Sequence, residues 1–488
     1  MNRILGWTLL IQWRRLEKRE SRIEGQFSCV PNTLPRFSTL RAPLRSPLTE
    51  ALQPVRQGAD PEPVSVSFSI FPLKVASTPV PHSLLHFGLV AVMSLLWNSC
   101  APVKVSVDTE GSPAAAVATH FVSDHPADSA GGDRRADEYR TRSGQKVYGY
   151  FAWWTRDLWQ DLDLSIYDKI FFFDLTPAAD GFIRERNGYP TAWQRLVAQA
   201  DRYAVPVVPS IALLDADTLQ AIFLNPEHRN NLLRSSLSLI EDSGGAGLHL
   251  DYEWFAPASE ALREGFHAYL DALANEVSVR FPQARLSLFV PAFQPAGMVD
   301  IGRIPSAYAD VIVQGYDMHW LTSPVAGPLS PLTGWNGSNW QSILRAMDTG
   351  PLGRERMFLT VPYYGYEWPT ESEALGSATR GVACVTSYAP MDASRVPDIQ
   401  LSSTERARQF GRGRDPISGS PYYVYADSTG WHQGWYEDRE SLDAKYRFVK
   451  EEGLAGIAIF LIGYDAGQMD SLLLERFGTR QVRASRNR

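Results

Sequence analysis

The chain has 488 residues, of which 44% are hydrophobic, and a net charge of −7, values typical of a folded globular protein. Its length permits one large domain with additional segments. The acidic balance offers no basic surface to a nucleic-acid backbone, so we expect no nucleic-acid partner. Three cysteines are too few for a disulfide framework, and no Cys/His cluster indicates a zinc site. Any metal would need oxygen ligands, and we predict neither a metal nor a cofactor.

The first 100 residues differ from the rest of the chain. Residues 1–80 contain 11 Lys/Arg and 6 Asp/Glu and show no sustained helical or strand period, so we expect them to be disordered or untranslated. The apolar run at 84–97, LLHFGLVAVMSLLW, is too short to span a bilayer and suits the core of a signal peptide. It ends in Asn98-Ser99-Cys100, so residues 81–100 resemble a bacterial lipoprotein signal in which Cys100 becomes the lipidated N-terminus.

Trp97 and Asn98 depart from the usual lipoprotein motif, and an ordinary buried apolar segment is the alternative. Its nearly uniform apolar character favours a signal, because a buried helix should be amphipathic. We therefore expect export to the cell envelope, with membrane attachment only through a lipid anchor. Residues 101–145, rich in Ala, Ser, Asp, Gly and Arg, predict a flexible linker. Residues 479–488, TRQVRASRNR, predict a solvated tail.

Eight short apolar or aromatic runs between residues 146 and 478 predict strands. They are Val147–Trp154, Lys169–Asp174, Val205–Ile211, Gly247–Tyr252, Arg285–Val290, Val311–Tyr316, Met357–Pro362 and Ile457–Ile462. The amphipathic segments between them include Ala192–Tyr203, Pro226–Glu241, Ser259–Arg280 and Asp438–Glu452. This alternation predicts an α/β fold of parallel βα units, closed into a (β/α)8 TIM barrel.

A doubly wound sheet is the alternative fold. It is disfavoured because the first strand region reads YGYFAWWT and no Gly-rich phosphate loop follows it. The gap between strands seven and eight is too long for one helix. Residues 367–435 therefore predict a small α+β insertion at that point.

The fourth predicted strand reads GLHLDYEW over 247–254. A period of two places His249, Asp251 and Glu253 on one face and apolar side chains on the other. The apolar face must meet the helices of a barrel, so the ionisable face points inward. Buried carboxylates are costly unless paired, and the carboxyl end of a strand is where barrel enzymes place catalytic groups. A solvated strand end with two ordinary acids is the alternative.

The sixth predicted strand also ends in polar groups. Gln314, Tyr316 and Asp317 lie in the sequence QGYD, again at a carboxyl-terminal strand end. By itself a YD dipeptide carries little information. Together with the fourth strand it places candidate functional groups on two strands at the same end of the barrel.

These motifs, in this order, resemble glycoside hydrolase family 18, the chitinase-like barrels. The family's fourth strand carries DGxDxDxE and its sixth MxYD or QxY variants. The segment VPYYGYEW is similar to its seventh strand, and WYEDRESLDAKYRFVKEEGLAGIAIFLIGYD to its last helix and strand. The resemblance covers 147–478 and is closest to the bacterial branch related to spore-cortex hydrolases.

The resemblance implies a role for each matching residue. Glu253 corresponds to the general acid, Asp251 to the carboxylate beside it, and Tyr316 with Asp317 to the pair that positions the substrate's N-acetyl group. The implied mechanism is retaining and substrate-assisted, in which the 2-acetamido oxygen attacks the anomeric carbon. Glu253 must then be protonated near neutral pH, and a neighbouring charge and burial would both favour that state.

The sequence departs from the family pattern at three positions. Ala246 replaces the first Asp of the motif, His249 the middle Asp, and Phe460 the Trp of the eighth strand. His249 could hold Asp251 by a hydrogen bond or, as a cation, lower its pKa. Phe460 keeps an apolar platform without the indole N–H. The expected substrate-binding residues are Asp317, Gln314, His249, Phe460, Tyr150 and Trp320.

The predicted function is that of a monomeric glycosidase acting on β-linked N-acetylglucosamine polysaccharide, chitin-like or peptidoglycan-like. A catalytically silent carbohydrate-binding barrel is the alternative, which His249 and Phe460 favour and the retained Glu253 disfavours. A third possibility is endo-cleavage of protein-linked glycans by the same chemistry.

Overall fold

The computed structural model describes residues 144–478, except 293–296, 349, 397–398 and 400. The predictions for residues 1–80, for the signal at 81–100 with Cys100, for nearly all of the linker and for the tail at 479–488 therefore lie outside the described residues. Within the described part, no helix is both long enough and apolar enough to cross a membrane.

The strands form one closed barrel and one separate sheet. In chain order they are β1 (Lys146–Ala152), β2 (Lys169–Leu175), β3 (Val207–Leu213), β4 (Gly247–Tyr252), β5 (Arg285–Val290), β6 (Tyr308–Val313), β7 (Met357–Pro362), β8 (Tyr364–Thr370), β9 (Cys384–Ser387), β10 (Leu401–Ser402), β11 (Gly413–Arg414), β12 (Pro421–Asp427), β13 (Gly430–Trp435) and β14 (Gly456–Phe460). Strands β1 to β7 and β14 pair in parallel and close into a barrel between β1 and β14. The predicted (β/α)8 barrel is confirmed.

Most of the α-helices lie between successive barrel strands, whereas α6 belongs to the insertion and α8 follows the last strand. They are α1 (Gln194–Asp201), α2 (Ala216–Phe223), α3 (Pro226–Asp242), α4 (Glu260–Arg280), α5 (Trp340–Met347), α6 (Ser403–Phe410), α7 (Arg439–Glu451) and α8 (Asp470–Phe477). Several begin after a side chain that accepts a backbone N–H of the first turn, which fixes the start of the helix. These N-caps are Asp215, Asn225, Ser259, Asn339, Ser402 and Asp438.

The insertion between β7 and β14 is a mixed sheet with one helix, α6. Its strand order is β10-β9-β8-β13-β12-β11, and most neighbours pair antiparallel. The predicted α+β insertion is thus present. It begins with β8 at Tyr364, because the chain leaves the barrel directly after β7 and enters the second sheet.

The sixth barrel strand lies three residues earlier than the sequence indicated. We predicted Val311–Tyr316, whereas β6 spans Tyr308–Val313. The Gly315 N–H donates to the Thr360 hydroxyl at 2.7 Å, and Asp317 takes a left-handed φ of 57°, so the chain turns away from the sheet. The QGYD motif therefore forms the loop that follows β6.

The barrel interior contains a buried ion pair toward the start of β1 and β2. The Lys169 ammonium lies 2.5 Å from an Asp310 carboxylate oxygen, which also accepts the Tyr148 hydroxyl at 2.9 Å. Both charged side chains are only 6% exposed. This polar cluster fills the barrel beneath the candidate site.

Candidate active site

Two carboxyl groups project from the carboxyl end of β4. Asp251 is the last residue but one of the strand and is 4% exposed. Glu253 lies just beyond it, and its backbone N–H donates to the Leu213 carbonyl at 3.0 Å, which continues the pairing with β3. Within the part of the chain that the structure describes, Asp251 Oδ1 has no hydrogen-bond partner. The strand thus brings to the mouth of the barrel a buried carboxyl group with one oxygen that accepts no hydrogen bond from the described residues.

Burial and neighbouring charges favour the protonated form of both groups. Burial raises the pKa of Glu253 well above its usual value, and the nearby Asp251 and Asp317 raise it further. Burial, followed by the charge of Asp174, raises the pKa of Asp251 to about 8. A carboxyl group that is still protonated at neutral pH can donate its proton to a leaving group.

The loop after β6 adds a third carboxyl group. Asp317 Oδ1 accepts the Tyr364 hydroxyl at 2.6 Å, and Oδ2 accepts the Tyr366 hydroxyl at 3.4 Å. Burial raises the pKa of Asp317 to about 7, and these two hydrogen bonds oppose the rise. Both tyrosines belong to β8, so the first strand of the insertion fixes a residue of the barrel's mouth.

Aromatic rings surround Phe460 at the end of β14. The Phe460 ring centroid lies 5.5 Å from Tyr150, 5.4 Å from Phe173 and 5.8 Å from Tyr316. Phe460 is 4% exposed. The structure therefore brings Tyr150, Tyr316 and Phe460 together, as a site on these strands requires.

His249 lies one layer below the carboxyl groups and is fully buried. Its Nε2 shares a hydrogen bond with the Tyr150 hydroxyl at 2.9 Å, and its Nδ1 with the Ser287 hydroxyl at 3.0 Å. Burial lowers the pKa of His249 well below its usual value, and the Lys169 charge acts in the same direction.

The expectation that His249 holds Asp251, either by a hydrogen bond or as a cation, is therefore wrong. Both ring nitrogens already have protein partners, and the ring is neutral at physiological pH. Because it is also enclosed, His249 supports the ring of Tyr150 from below and does not face the open mouth of the barrel.

Gln314 and Trp320, which were also predicted to bind substrate, form hydrogen bonds to other residues of the protein. The Gln314 side-chain oxygen accepts the Ala292 N–H at 3.2 Å, so this amide ties the loop after β6 to the loop after β5. Trp320 is half-buried, and its indole N–H donates to the Thr322 hydroxyl at 3.1 Å.

Asp174, at the carboxyl end of β2, is a site residue that the sequence reasoning missed. It is fully buried, and Oδ1 accepts the Trp153 indole N–H at 3.1 Å and the Asn187 amide at 3.4 Å. Its position at the end of a predicted strand was one available signal, but regular alternation along β2 places it on the outer face, so the argument that selected Asp251 did not select Asp174. No group of three His, Cys, Asp or Glu among the described residues is arranged to hold a metal ion.

A closed parallel barrel with buried carboxyl groups of raised pKa at the carboxyl ends of its strands is typical of a TIM-barrel enzyme. Residues 147–465 match the family described as glycosyl hydrolases family 18, and the chain belongs to that family. The protein is therefore a glycosidase. The resemblance noted from the motifs of the fourth and sixth strands is confirmed.

Relatives include bacterial and plant proteins. The chain is 22% identical over 325 residues to the cortical fragment-lytic enzyme of Bacillus anthracis, covering 63% of this chain and 67% of that protein. It is 24% identical over 326 residues to the class V chitinase of Arabidopsis thaliana, covering 62% and 82%. The spore cortex-lytic enzyme SleL of Bacillus megaterium QM B1551 shares the fold, with a TM-score of 0.54 and 17% identity over 70% of this chain and 76% of that one.

Proposed function

We propose that this glycosidase cleaves β-linked N-acetylglucosamine-containing polysaccharide with retention of configuration, and that Glu253 is its general acid and base. The observation that carries the proposal is the environment of Glu253. Burial and two neighbouring carboxyl groups, Asp251 and Asp317, raise its pKa well above the usual value, which favours the protonated form that a general acid requires.

In the proposed reaction, Glu253 gives its proton to the glycosidic oxygen as the bond to the anomeric carbon breaks. The 2-acetamido oxygen of the substrate attacks that carbon and forms a cyclic oxazolinium intermediate. Glu253, now ionised, then takes a proton from a water molecule that opens the intermediate. No carboxylate of the protein forms a bond to the sugar.

The remaining residues hold the substrate. Asp251, whose Oδ1 has no partner among the described residues, can accept the acetamido N–H once it is ionised. In this proposal the Tyr316 hydroxyl donates to the acetamido oxygen, and burial, which raises its pKa, favours the neutral hydroxyl. Phe460 supplies the apolar surface under the sugar ring, while Asp317 and Trp320 lie on the loop that follows β6.

The relatives suggest two candidate polymer substrates. The cortical fragment-lytic enzyme of Bacillus anthracis suggests a peptidoglycan-like substrate, and the class V chitinase of Arabidopsis thaliana a chitin-like one. We propose the former as the natural substrate, because the predicted export signal would deliver the protein to the cell envelope. The chain would then be anchored at Cys100, which cysteine-to-serine substitution and lipid labelling can test.

The test compares the full chain with Glu253→Gln on a fluorogenic N-acetylglucosamine oligomer and on purified peptidoglycan. Turnover by the variant should fall at least about 100-fold, the usual minimum contribution of a positioned acid. Glu264→Gln is the matched control and should leave turnover unchanged. Glu264 lies on α4, is half-exposed and forms an ion pair with Arg303. If neither the wild type nor the variant cleaves but both bind the oligomers, the protein is a sugar-binding barrel.

A further inference from the structure

Gly315, which precedes Tyr316 in the loop after β6, lies where no side chain fits. A β-carbon at this position would be 2.2 Å from the Thr360 carbonyl oxygen and 3.0 Å from the Trp340 indole nitrogen. Separations as short as the first are essentially never found for a β-carbon, so glycine lets the loop approach β7 this closely. The residue next to Tyr316 is therefore confined on two sides by the protein core.

Three buried side chains bind the backbone of Gly315. Its N–H donates to the Thr360 hydroxyl at 2.7 Å, and its carbonyl accepts the Ser330 hydroxyl at 2.5 Å and the Trp340 indole N–H at 2.7 Å. Thr360, Ser330 and Trp340 are all fully buried. Buried backbone groups are almost always hydrogen-bonded, and at Gly315 side chains take the place of partners in the sheet.

The Thr360 hydroxyl also binds the end of β6. It donates to the Val313 carbonyl at 3.2 Å while it accepts the Gly315 N–H, as a hydroxyl can. Val313 is the last residue of β6 and pairs with Leu359, the neighbour of Thr360 in β7. One side chain thus links the end of the strand to the loop and fixes the peptide groups on either side of Gln314.

The next two residues of the loop carry groups that face the substrate in the proposed function. The Tyr316 ring centroid lies 5.8 Å from that of Phe460 and 5.9 Å from that of Tyr364. The Asp317 carboxyl group accepts the Tyr364 hydroxyl at 2.6 Å. Tyr316 therefore lies between two tethered residues, because Gly315 is bound by β7 and Asp317 by β8.

We propose that Thr360 and Ser330 are positioning residues of the active site, whose hydroxyls fix the loop at Gly315 and thereby set the place of the Tyr316 hydroxyl. The effect on turnover rests on the proposed function, in which Tyr316 contacts the substrate, whereas the placement of the Tyr316 ring does not. A displacement of about 1 Å in a group that orients the substrate can lower the rate about 100-fold. The alternative is that the two buried hydroxyls contribute to stability alone.

The first test compares Thr360→Val with Thr360→Ser in the full chain, on the fluorogenic N-acetylglucosamine oligomer. Valine has nearly the shape of threonine but no hydroxyl, whereas serine keeps the hydroxyl that binds Gly315. In Thr360→Val, kcat should fall by about 10- to 100-fold and KM should rise less, because the Tyr316 contact matters most in the transition state. Thr360→Ser should recover most of the loss. A purely stabilising hydroxyl would lower the melting temperature of Thr360→Val and leave kcat unchanged below that temperature.

The second readout follows the Tyr316 ring and needs no turnover. It is an NMR spectrum of the full chain with ¹³C-labelled tyrosine rings, in which Tyr316→Phe identifies the Tyr316 signals. Their chemical shifts depend on the distances from the Tyr316 ring to the rings of Phe460 and Tyr364. Thr360→Val should move these signals, and Thr360→Ser should leave them near their wild-type positions.

Thr386→Val is the matched control for both readouts. Thr386 is also fully buried, and its hydroxyl is hydrogen-bonded at 2.6 Å to that of Ser403, at the start of α6 in the insertion. The variant loses a buried hydroxyl of the same kind and leaves the partners of Gly315 in place. It should therefore change neither kcat nor the Tyr316 signals.

In folded Thr360→Val, unmoved Tyr316 signals would overturn the proposal, and so would a kcat equal to that of an active wild type. If Thr360→Val does not fold, Ser330→Ala removes one of the two donors to the Gly315 carbonyl and should also move the Tyr316 signals. Unmoved signals in that variant would again overturn the proposal. Inactivity of the wild type on every N-acetylglucosamine substrate would contradict the proposed function, while the Tyr316 signals would still decide whether the two hydroxyls position the ring.

Discussion

The substitution Asp251→Asn should stabilise the folded protein by an amount that depends on pH. Asp251 is 4% exposed, and burial together with Asp174 raises its pKa from 3.8 to about 8. Each unit of pKa shift corresponds to about 1.4 kcal/mol, so a shift of about four units corresponds to about 6 kcal/mol. Asparagine has a similar shape and carries no proton to lose.

The sign follows from proton linkage. Because the pKa of Asp251 is raised in the folded state, the folded protein binds this proton more tightly than the unfolded chain does. The resulting stabilisation is fully present below about pH 4, the unfolded pKa, and is lost as the pH rises to about 8. Asp251→Asn has no carboxyl proton to lose, so its free energy of unfolding does not fall in this way. The difference in free energy of unfolding between the variant and the wild type should therefore grow across that pH window and level off above it.

Urea unfolding of both proteins at about pH 5, 6.5 and 8 measures the effect, since the free energy of unfolding is obtained at each pH. Asp180→Asn, at a half-exposed carboxylate, serves as the control and should show no such growth. A difference between Asp251→Asn and the wild type that is constant from pH 5 to pH 8 would refute the reasoning, because Asp251 would then be ionised in the folded protein throughout that range.

Two further predictions concern the buried ion pair of Lys169 and Asp310 below the candidate site and the hydrogen bond from Tyr364 to Asp317 within it. Lys169→Met leaves Asp310 buried with the Tyr148 hydroxyl as its remaining side-chain donor among the described residues, and should lower the free energy of unfolding by about 3–5 kcal/mol. The double variant Lys169→Met/Asp310→Leu should recover most of this loss in the same urea assay. Equal stability of the single variant and the wild type would contradict the importance of this pair. Tyr364→Phe removes the 2.6 Å hydrogen bond to Asp317 and should raise the pKa of Asp317 above about 7, by about one to two units in a carboxyl NMR titration. A pKa that stays the same or falls would show that this hydroxyl does not stabilise the Asp317 anion.

Sequence periodicity located most of the barrel because the strands bury continuous apolar runs. The predicted bounds of β4, β5 and β7 agree with the structure, and Ser259 and Asp438, predicted as the first residues of helices, are the N-caps of α4 and α7. The end of β6 was not predictable in this way. The strand stops because of a left-handed turn at Asp317 and a hydrogen bond that the Gly315 N–H donates to the Thr360 hydroxyl, neither of which has a periodic signature.

For the candidate site as well, strand alternation predicted some features and not others. Alternation along β4 was enough to place His249, Asp251 and Glu253 on the inner face of the barrel. The partners of His249 come from β1 and β5, so the sequence could not show that Tyr150 and Ser287 occupy its ring. Asp174 depends on a bulge in β2, and regular alternation would place it opposite Phe173, outside the barrel.

The stereochemistry of the first product tests the central account most directly. Proton NMR of a chitin oligomer or of peptidoglycan fragments, recorded in the first minutes of hydrolysis by the full chain, reports the configuration of the newly formed reducing end. Retention through the 2-acetamido group, with Glu253 as acid and base, predicts that the β-anomer forms first and that Glu253→Gln forms no product over the same time. Initial release of the α-anomer, or an unchanged rate in the variant, would contradict the account.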